Sequence, residues 1–126
     1  MCELILKNNE ADYYLSVLRI ISKDVNGKFG YAVARNIREL SNSLKEYTQF
    51  KNELIVKYGE QKGNEFSLSQ NSKKYKDFQN ELRPLAEIEH DVPIMLVDAE
   101  YVYNSSLTAD KMGELFFMIK DGDMNG

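Results

Sequence analysis

The chain has 126 residues, a net charge of −4 at neutral pH, one cysteine, one histidine and no tryptophan. Its length predicts a single domain over residues 1–126, and 43% hydrophobic with 29% charged residues is typical of a folded chain rather than a disordered one. No apolar run is long enough to span a membrane, and one cysteine excludes an internal disulfide, so the hydrophobic core must hold the fold together.

Charge is distributed unevenly along the chain. Residues 1–58 hold 9 basic and 7 acidic side chains, whereas residues 59–126 hold 7 basic and 13 acidic ones. Neither half has the dense positive field that binding to phosphate backbones requires, so we do not expect nucleic acid as a partner. The mild excess of negative charge favours solubility.

The N-terminal region predicts a strand followed by a helix. Residues 3–7 alternate weakly and predict a short strand. Asn9 is a suitable N-cap, because its side chain can accept a hydrogen bond from a backbone N–H. Apolar residues then recur at helical spacing and predict a helix over residues 10–22: Ala11, Tyr14, Leu15, Leu18 and Ile21.

The next stretch predicts one long helix over residues 29–58. Its apolar residues keep a period of 3.5 over nearly four heptads. They are Val33, Ile37, Leu40, Leu44, Tyr47, Leu54 and Tyr58. Gly59 follows directly, and we expect it to end the helix in a left-handed conformation. Residues 60–71 are polar and contain glycine, which predicts a long and mobile loop.

The second half predicts a third helix, a strand and a last helix. Residues 72–83 form the third helix, and Pro84 should stop or kink it near Arg83. The period then changes to two, which predicts a strand over residues 87–97 with Pro93 favouring a sheet edge. The simplest hypothesis pairs this strand with residues 3–7. Residues 98–105 should be irregular or a single turn, and Thr108 should cap a helix over residues 109–119.

These elements predict an α+β fold: a helical hairpin with one long helix, a third helix, a small two-stranded antiparallel sheet and a C-terminal helix.

Two acidic segments were weighed as cation sites. Residues 121–126 match the first half of a calcium loop, D-x-D-x-N-G, but the glutamate that completes such a loop is absent from the sequence. Glu87, Glu89 and Asp91 share one face of the predicted strand, where alternate residues lie about 6.6 Å apart and are too distant for tight joint coordination. We therefore expect no metal or other cofactor, and a solvated tail and strand face.

The sequence shows no catalytic constellation. His90 has no second histidine beside it, and Cys2 lies at the terminus, so neither a zinc site nor a nucleophilic triad is indicated. Lys73, Lys74 and Lys76 surround a tyrosine and are a candidate contact for an anion, although three lysines at this spacing are also typical of a solvated helix face. We expect a protein that is not an enzyme.

Residues 115–119 are the part of the sequence that is least typical of a monomer. Five consecutive large apolar residues, Leu115, Phe116, Phe117, Met118 and Ile119, would surround a helix completely. Either this turn is buried among the other helices, or one side of it meets a partner, since aromatic and methionine side chains are enriched in interface cores. We take it as the candidate partner interface, with a protein or a second copy of the chain as occupant.

Five stretches carry a family likeness: residues 4–8, residues 30–38 (GYAVARNIR), residues 53–60 (ELIVKYGE), residues 78–94 and residues 115–119 (LFFMI). They are spread over the chain from about residue 3 to residue 120, and they resemble a family of small, functionally uncharacterised proteins encoded by bacteriophages and prophages of Gram-positive bacteria. The family has no established activity, so the resemblance transfers no functional residue. It implies a setting, which is a phage gene product acting in the host bacterial cytoplasm or as part of a particle.

Three function classes follow from these expectations. The first is a phage protein that binds another protein during particle assembly, either as a component or as an assembly helper. The second is a phage-encoded inhibitor of a host defence system or host enzyme. The third is a small ligand-binding protein or enzyme whose site is assembled from residues scattered along the sequence.

Overall fold

The structure, a computed structural model, describes residues 2–120 and has a mixed α+β fold. Residues 121–126, where the calcium-loop pattern occurs, lie outside the described residues. The elements in chain order are β1 (Cys2–Lys7), α1 (Asn8–Ile21), α2 (Gly27–Ser43), α3 (Lys45–Tyr58), β2 (Glu60–Lys62), β3 (Glu65–Ser67), α4 (Tyr75–Ala86), β4 (Glu89–Ile94), α5 (Ala99–Tyr103) and α6 (Ala109–Gly113), followed by a 3₁₀ turn at Phe116–Met118.

Helices α1 and α2 pack as the predicted helical hairpin and supply much of the core. The helical spacing correctly identified the buried face of α1, which consists of Ala11, Leu15, Leu18 and Ile21. The helix α1 begins two residues before the predicted residue 10, so Asn9 is not its N-cap. Asn8 lies inside the helix rather than before it, and its Nδ2 donates to the carbonyl of Leu85, 2.8 Å away. Asn8 therefore joins α1 to the end of α4.

The predicted long helix is interrupted at Leu44, whose φ of −94° and ψ of 1° separate α2 from α3. Hydrogen bonding continues on both sides, from Leu44 N–H to Leu40 and from Thr48 N–H to Leu44. The heptad positions up to Tyr47 are buried except for the half-buried Ile37, and those beyond Tyr47 are only half-buried. The pattern therefore located the core side of α2 correctly, whereas α3 extends past the core.

Strands β1 and β4 pair antiparallel, as predicted. Leu4 lies opposite Val92 and Leu6 opposite His90 on the face toward the helices, while Ile5 lies opposite Asp91 on the exposed face. The predicted acidic face is smaller than expected. Glu87 is the residue that follows α4, so only Glu89 and Asp91 belong to the strand.

Residues 60–67 form a β-hairpin, which corrects the prediction of a loop. Strands β2 and β3 pair antiparallel around a two-residue turn in which Gly63 adopts a φ of +64°. Gly59 was also wrongly predicted, because its φ of −84° is not left-handed. A Cβ on Gly59 would lie 2.6 Å from the carbonyl oxygen of Ser67. Glycine is therefore required here by the close approach of the hairpin.

Helix α4 continues through Pro84 to Ala86, so the predicted stop near Arg83 was wrong. Proline removes the backbone hydrogen bond that an N–H at position 84 would donate to the carbonyl of Asn80, and the helix ends two residues later. The end of the helix is secured by other bonds. Glu87 N–H donates to the carbonyl of Arg83, and Asn8 donates to that of Leu85.

A buried amide holds the segment after β4 against α2. Asn36 is fully buried, its Oδ1 accepts from the Met95 N–H at 2.7 Å, and its Nδ2 donates to the Met95 carbonyl at 3.0 Å. One side chain thus satisfies both backbone groups of Met95, as a neighbouring strand would. Beyond it, Val97 forms a parallel bridge with Ile119.

Among the helices of residues 2–120, none has the length and apolar content that crossing a lipid bilayer would require.

Candidate functional site

The five apolar residues at the end of the chain do not form one surface. Thr108 caps α6 as predicted, with its Oγ1 accepting from the Lys111 N–H, but the helix ends at Gly113 instead of continuing to residue 119. A turn at Phe116–Met118 then changes the direction of the chain. The bridge to Val97 fixes this turn over the core.

This change of direction separates the candidate interface into two groups. Leu115, Met118 and Ile119 are buried in the core, so they are not available to a partner, and the prediction is corrected for these three. Phe116 exposes 56% of its surface, and Phe117 is half-buried. The surface that remains for a partner is therefore built around Phe116.

An aromatic residue of α1 meets Phe117, and a second one meets the first. The ring of Tyr14 stacks on that of Phe117, with centres 4.1 Å apart and planes 16° from parallel. The ring of Tyr13 meets Tyr14 edge-on at 6.1 Å. Offset stacking and edge contacts are both favourable arrangements of aromatic rings. They form a continuous aromatic surface across the junction of α1 and the C-terminal segment.

A cavity of about 560 Å³ lies at this junction, within the size range of ligand pockets. We call it the aromatic pocket. Its lining combines four aromatic rings, two carboxylates and two small or polar residues: Tyr13, Tyr14, Phe116, Phe117, Glu10, Glu114, Asn9 and Gly113.

Both carboxylates of the pocket are held in place by hydrogen bonds. Glu10 Oε1 accepts from the Lys7 backbone N–H at 2.9 Å, as in a capping box at the start of a helix. Glu114 Oε2 accepts from the Tyr13 hydroxyl at 2.5 Å. This bond raises the pKa of Tyr13, because the carboxylate stabilises the protonated phenol. Tyr13 and Glu114 are therefore fixed relative to each other across the mouth of the pocket.

A second concave surface has the opposite charge. Two adjoining cavities, of about 560 and 340 Å³, share Tyr31, Met95, Leu96 and Lys120. We call them together the basic groove, since their lining also includes Lys28 and Arg35.

Contacts within the basic groove engage two of its cations. The Nζ of Lys28 lies 5.7 Å from the centre of the Tyr101 ring, within the range of a cation–π interaction. The Nζ of Lys120 forms a salt bridge of 3.1 Å with Asp98. The floor of the groove includes Met95, which Asn36 holds from below.

The three lysines predicted as an anion contact are exposed, but they do not line one common cavity. Lys73 and Lys74 line a cavity of about 450 Å³ beside the β2–β3 hairpin, whereas Lys76 lies on α4 and does not line it. The same cavity includes Glu60, whose carboxylate offsets part of the positive charge. The anion contact stays a prediction.

The structure separates Cys2 from His90. Cys2 lies opposite Ile94 and His90 lies opposite Leu6, so four residue positions, about 13 Å, separate them along the sheet. Cys2 instead lines the basic groove. Within residues 2–120, no three histidine, cysteine or acidic side chains are grouped closely enough to hold a metal ion.

Sequence reasoning missed six of the eight residues that line the aromatic pocket, among them Glu10, Tyr13 and Glu114. The Tyr13 and Glu114 side chains are 101 positions apart along the chain, and no local pattern joins them. A partial signal was present in the adjacent pair Tyr13 and Tyr14, because neighbouring helical residues point about 100° apart and Tyr13 lies off the predicted apolar stripe.

Comparisons with protein-family models, with curated proteins and with solved structures find nothing that matches this chain.

Proposed function

We propose that this chain is a non-enzymatic, phage-encoded protein whose aromatic pocket binds another protein. The observation that carries the proposal is the pair of protruding rings at the pocket. Phe116 exposes 56% and Tyr13 exposes 52% of their surfaces, and both line a cavity that two further aromatic rings also line. Aromatic residues are enriched in the cores of protein interfaces and dominate their binding energy.

The protruding rings favour a protein partner over a small molecule. A small ligand gains most when it is enclosed, so the rings of its site line a cavity and are themselves buried. Phe116 instead projects into solvent, where a partner surface can cover it. Covering the exposed half of a phenylalanine contributes roughly 1–1.5 kcal/mol by the usual apolar-area relation.

The supporting residues of the pocket each contact a neighbouring group, and such contacts lower the cost of binding. Tyr14 is held by its stack on Phe117, Tyr13 by its bond to Glu114, and Glu10 by the backbone of Lys7. Side chains that are already fixed lose less conformational entropy when a partner binds. The pocket therefore presents Phe116 on a prepared surface.

The phage setting of this proposal rests on the sequence resemblance, which places the protein in the host bacterial cytoplasm or in a particle. In that setting the partner is either a phage protein under assembly or a host protein that the phage inhibits. We favour assembly, with inhibition as the alternative. The identity of the captured protein separates the two.

The test is affinity capture from phage-infected Gram-positive cells, using the tagged full-length chain. A matched control exists in Phe50, which exposes 52% of its surface on α3 and lies outside the aromatic pocket. We expect a protein that is captured by the unmodified chain and by Phe50→Ala, and is lost with Phe116→Ala. Equal capture by both variants, or no specific capture, would contradict the proposal. A captured phage structural protein supports assembly, and a host defence protein or enzyme supports inhibition.

A further inference from the structure

We propose that the aromatic pocket recognises a positively charged side chain, arginine or lysine, in an exposed segment of its protein partner. This inference rests on the proposed function, because it specifies the chemistry of the partner that the same pocket binds.

The rings of the pocket supply the first part of the argument. The face of an aromatic ring carries partial negative charge, so it attracts a cation placed within about 6 Å of its centre. Four such rings line this pocket. Tyr13 and Phe116 each expose about half of their surface, so a cation can approach these rings from solvent without displacing core residues.

The two carboxylates supply the second part. Among the described residues that line the pocket, Glu10 and Glu114 carry formal charge and none is basic. Each carboxylate has two oxygens, and one hydrogen bond to each has been described, from Lys7 N–H and from the Tyr13 hydroxyl. A carboxylate can accept further bonds, so both keep capacity for a ligand that donates. The pocket thus combines negative ring faces with negative groups at its edge.

Arginine satisfies both features at once. Its planar guanidinium stacks on an aromatic face, and its N–H groups form a fork that matches a carboxylate. Lysine satisfies them as a point charge on a flexible stem. An acidic segment would instead bring like charges to Glu10 and Glu114.

The same charges disfavour a symmetric dimer through this pocket. In a two-fold contact the same patch meets itself, which would place Glu10 and Glu114 of two copies against each other. A second copy could contribute only a different, positively charged surface. The committed occupant is therefore a basic segment of another protein, and self-association is an outcome that the experiment below detects.

The test uses two defined peptides with the full-length chain labelled for NMR. One is a nine-residue glycine-serine peptide with three arginines, and the other replaces each arginine with citrulline, which has nearly the same shape and no charge. We expect saturable shifts at the amides of Gly113 and Phe116. The arginine peptide should bind at least ten times more tightly than the citrulline peptide, and its affinity should fall at least fivefold between 50 and 500 mM salt.

Variants distinguish recognition at the pocket from general attraction to an acidic protein. The double variant Glu10→Gln with Glu114→Gln removes two charges but keeps an oxygen that accepts each existing hydrogen bond. We expect it to weaken the arginine peptide at least fivefold while the melting temperature falls by no more than a few degrees, because Glu10 loses its favourable interaction with the helix dipole. Phe116→Ala should weaken the peptide similarly, and the control Tyr31→Ala, in the basic groove, should leave it unchanged.

Two results would overturn the inference: equal binding of the two peptides, or shifts that lie away from the aromatic pocket and persist in the double glutamine variant. Self-association that light scattering detects in the unmodified chain, and that the double variant abolishes, would also overturn it in favour of a second copy as occupant. If capture from cells depends on Phe116 but not on Glu10 and Glu114, this inference fails and the proposed function stands. If capture does not depend on Phe116, the proposed function itself fails.

Discussion

The aromatic pocket and the larger of the two cavities of the basic groove each have a volume of about 560 Å³ and an exposed tyrosine, yet the two surfaces carry opposite charge. The difference begins with the helices that build them. Glu10 lies in the first turn of α1, where a carboxylate is favoured by the helix dipole and caps the backbone. Lys28 lies in the first turn of α2, where the dipole does not favour a cation.

Lys28 is explained by its tertiary contact instead. Its Nζ lies over the Tyr101 ring. The charge in the first turn of α2 is therefore set by this contact and opposes the helix-dipole preference, whereas the charge in the first turn of α1 agrees with it. The comparison teaches that the position of Glu10 in the pocket follows from helix capping, whereas that of Lys28 in the groove follows from side-chain packing. The two surfaces should therefore respond differently to the same kinds of substitution.

The largest effect should come from the core on which both surfaces depend. Leu44 is buried at the junction of α2 and α3, so Leu44→Ala should lower the free energy of unfolding by about 2–5 kcal/mol. Chemical denaturation measures this change. A loss below about 0.5 kcal/mol would mean that Leu44 is not part of the core.

A smaller loss of stability should follow from removing the side chain that holds Met95 in the basic groove. Asn36→Ala leaves the N–H and C=O of Met95 without their partner, and should cost about 1–3 kcal/mol of stability. Asn42→Ala, at an exposed position of the same helix, should stay within about 0.5 kcal/mol and serves as the control. Equal losses in the two variants would refute the role of Asn36 as a clamp.

The two phenylalanines of the aromatic pocket should differ in their effect on stability, because Phe117 supports the pocket and Phe116 binds the partner. Phe117→Ala removes the stack on Tyr14 and should lower stability by about 1–2 kcal/mol. Phe116→Ala should change stability by less than about 0.5 kcal/mol, because the side chain is already half in solvent. Thermal unfolding of the two variants checks this, and the reverse order of losses would show that their roles are exchanged.

The smallest effect concerns the titration of Tyr13. Its bond to Glu114 raises the pKa of the phenol above the ordinary value of 10.0, so the stabilisation from this bond is present below pH 10 and is lost as pH rises through the raised pKa. Glu114→Ala should return the pKa of Tyr13 toward its ordinary value, as measured by NMR of labelled tyrosine rings.

The control for this titration is a second tyrosine–glutamate pair. Tyr58 donates to Glu81, and this bond raises the pKa of Tyr58 in the same way. Glu81→Ala should therefore shift Tyr58 and leave Tyr13 unchanged. If Glu114→Ala shifts both tyrosines, the effect is not local to the aromatic pocket.

The sequence predicted those parts of the fold in which burial is periodic. The buried faces of α1 and α2 and the pairing of β1 with β4 depend on regular alternation of apolar and polar residues, and this is visible along the chain. The break at Leu44 was not predictable in this way, since neither glycine nor proline marks it. The β2–β3 hairpin was missed because both strands are only three residues long and exposed on both faces.

The candidate site was predictable only in part. Phe116 and Phe117 were identified from the run of apolar residues, but Gly113 and the bridge from Val97 to Ile119 decide which of those residues face outward. The bond between Tyr13 and Glu114 depends on the folded path of the whole chain. The negative charge at the pocket can therefore be recognised only from the folded structure.

The central claim is that Phe116 is the point at which a partner protein docks. A photoreactive benzoylphenylalanine in place of Phe116, and in a second variant in place of Phe50, tests it directly in infected cells. The account predicts one specific crosslinked partner from position 116 and none from position 50. Crosslinks of equal yield at both positions, or none at position 116, would contradict it.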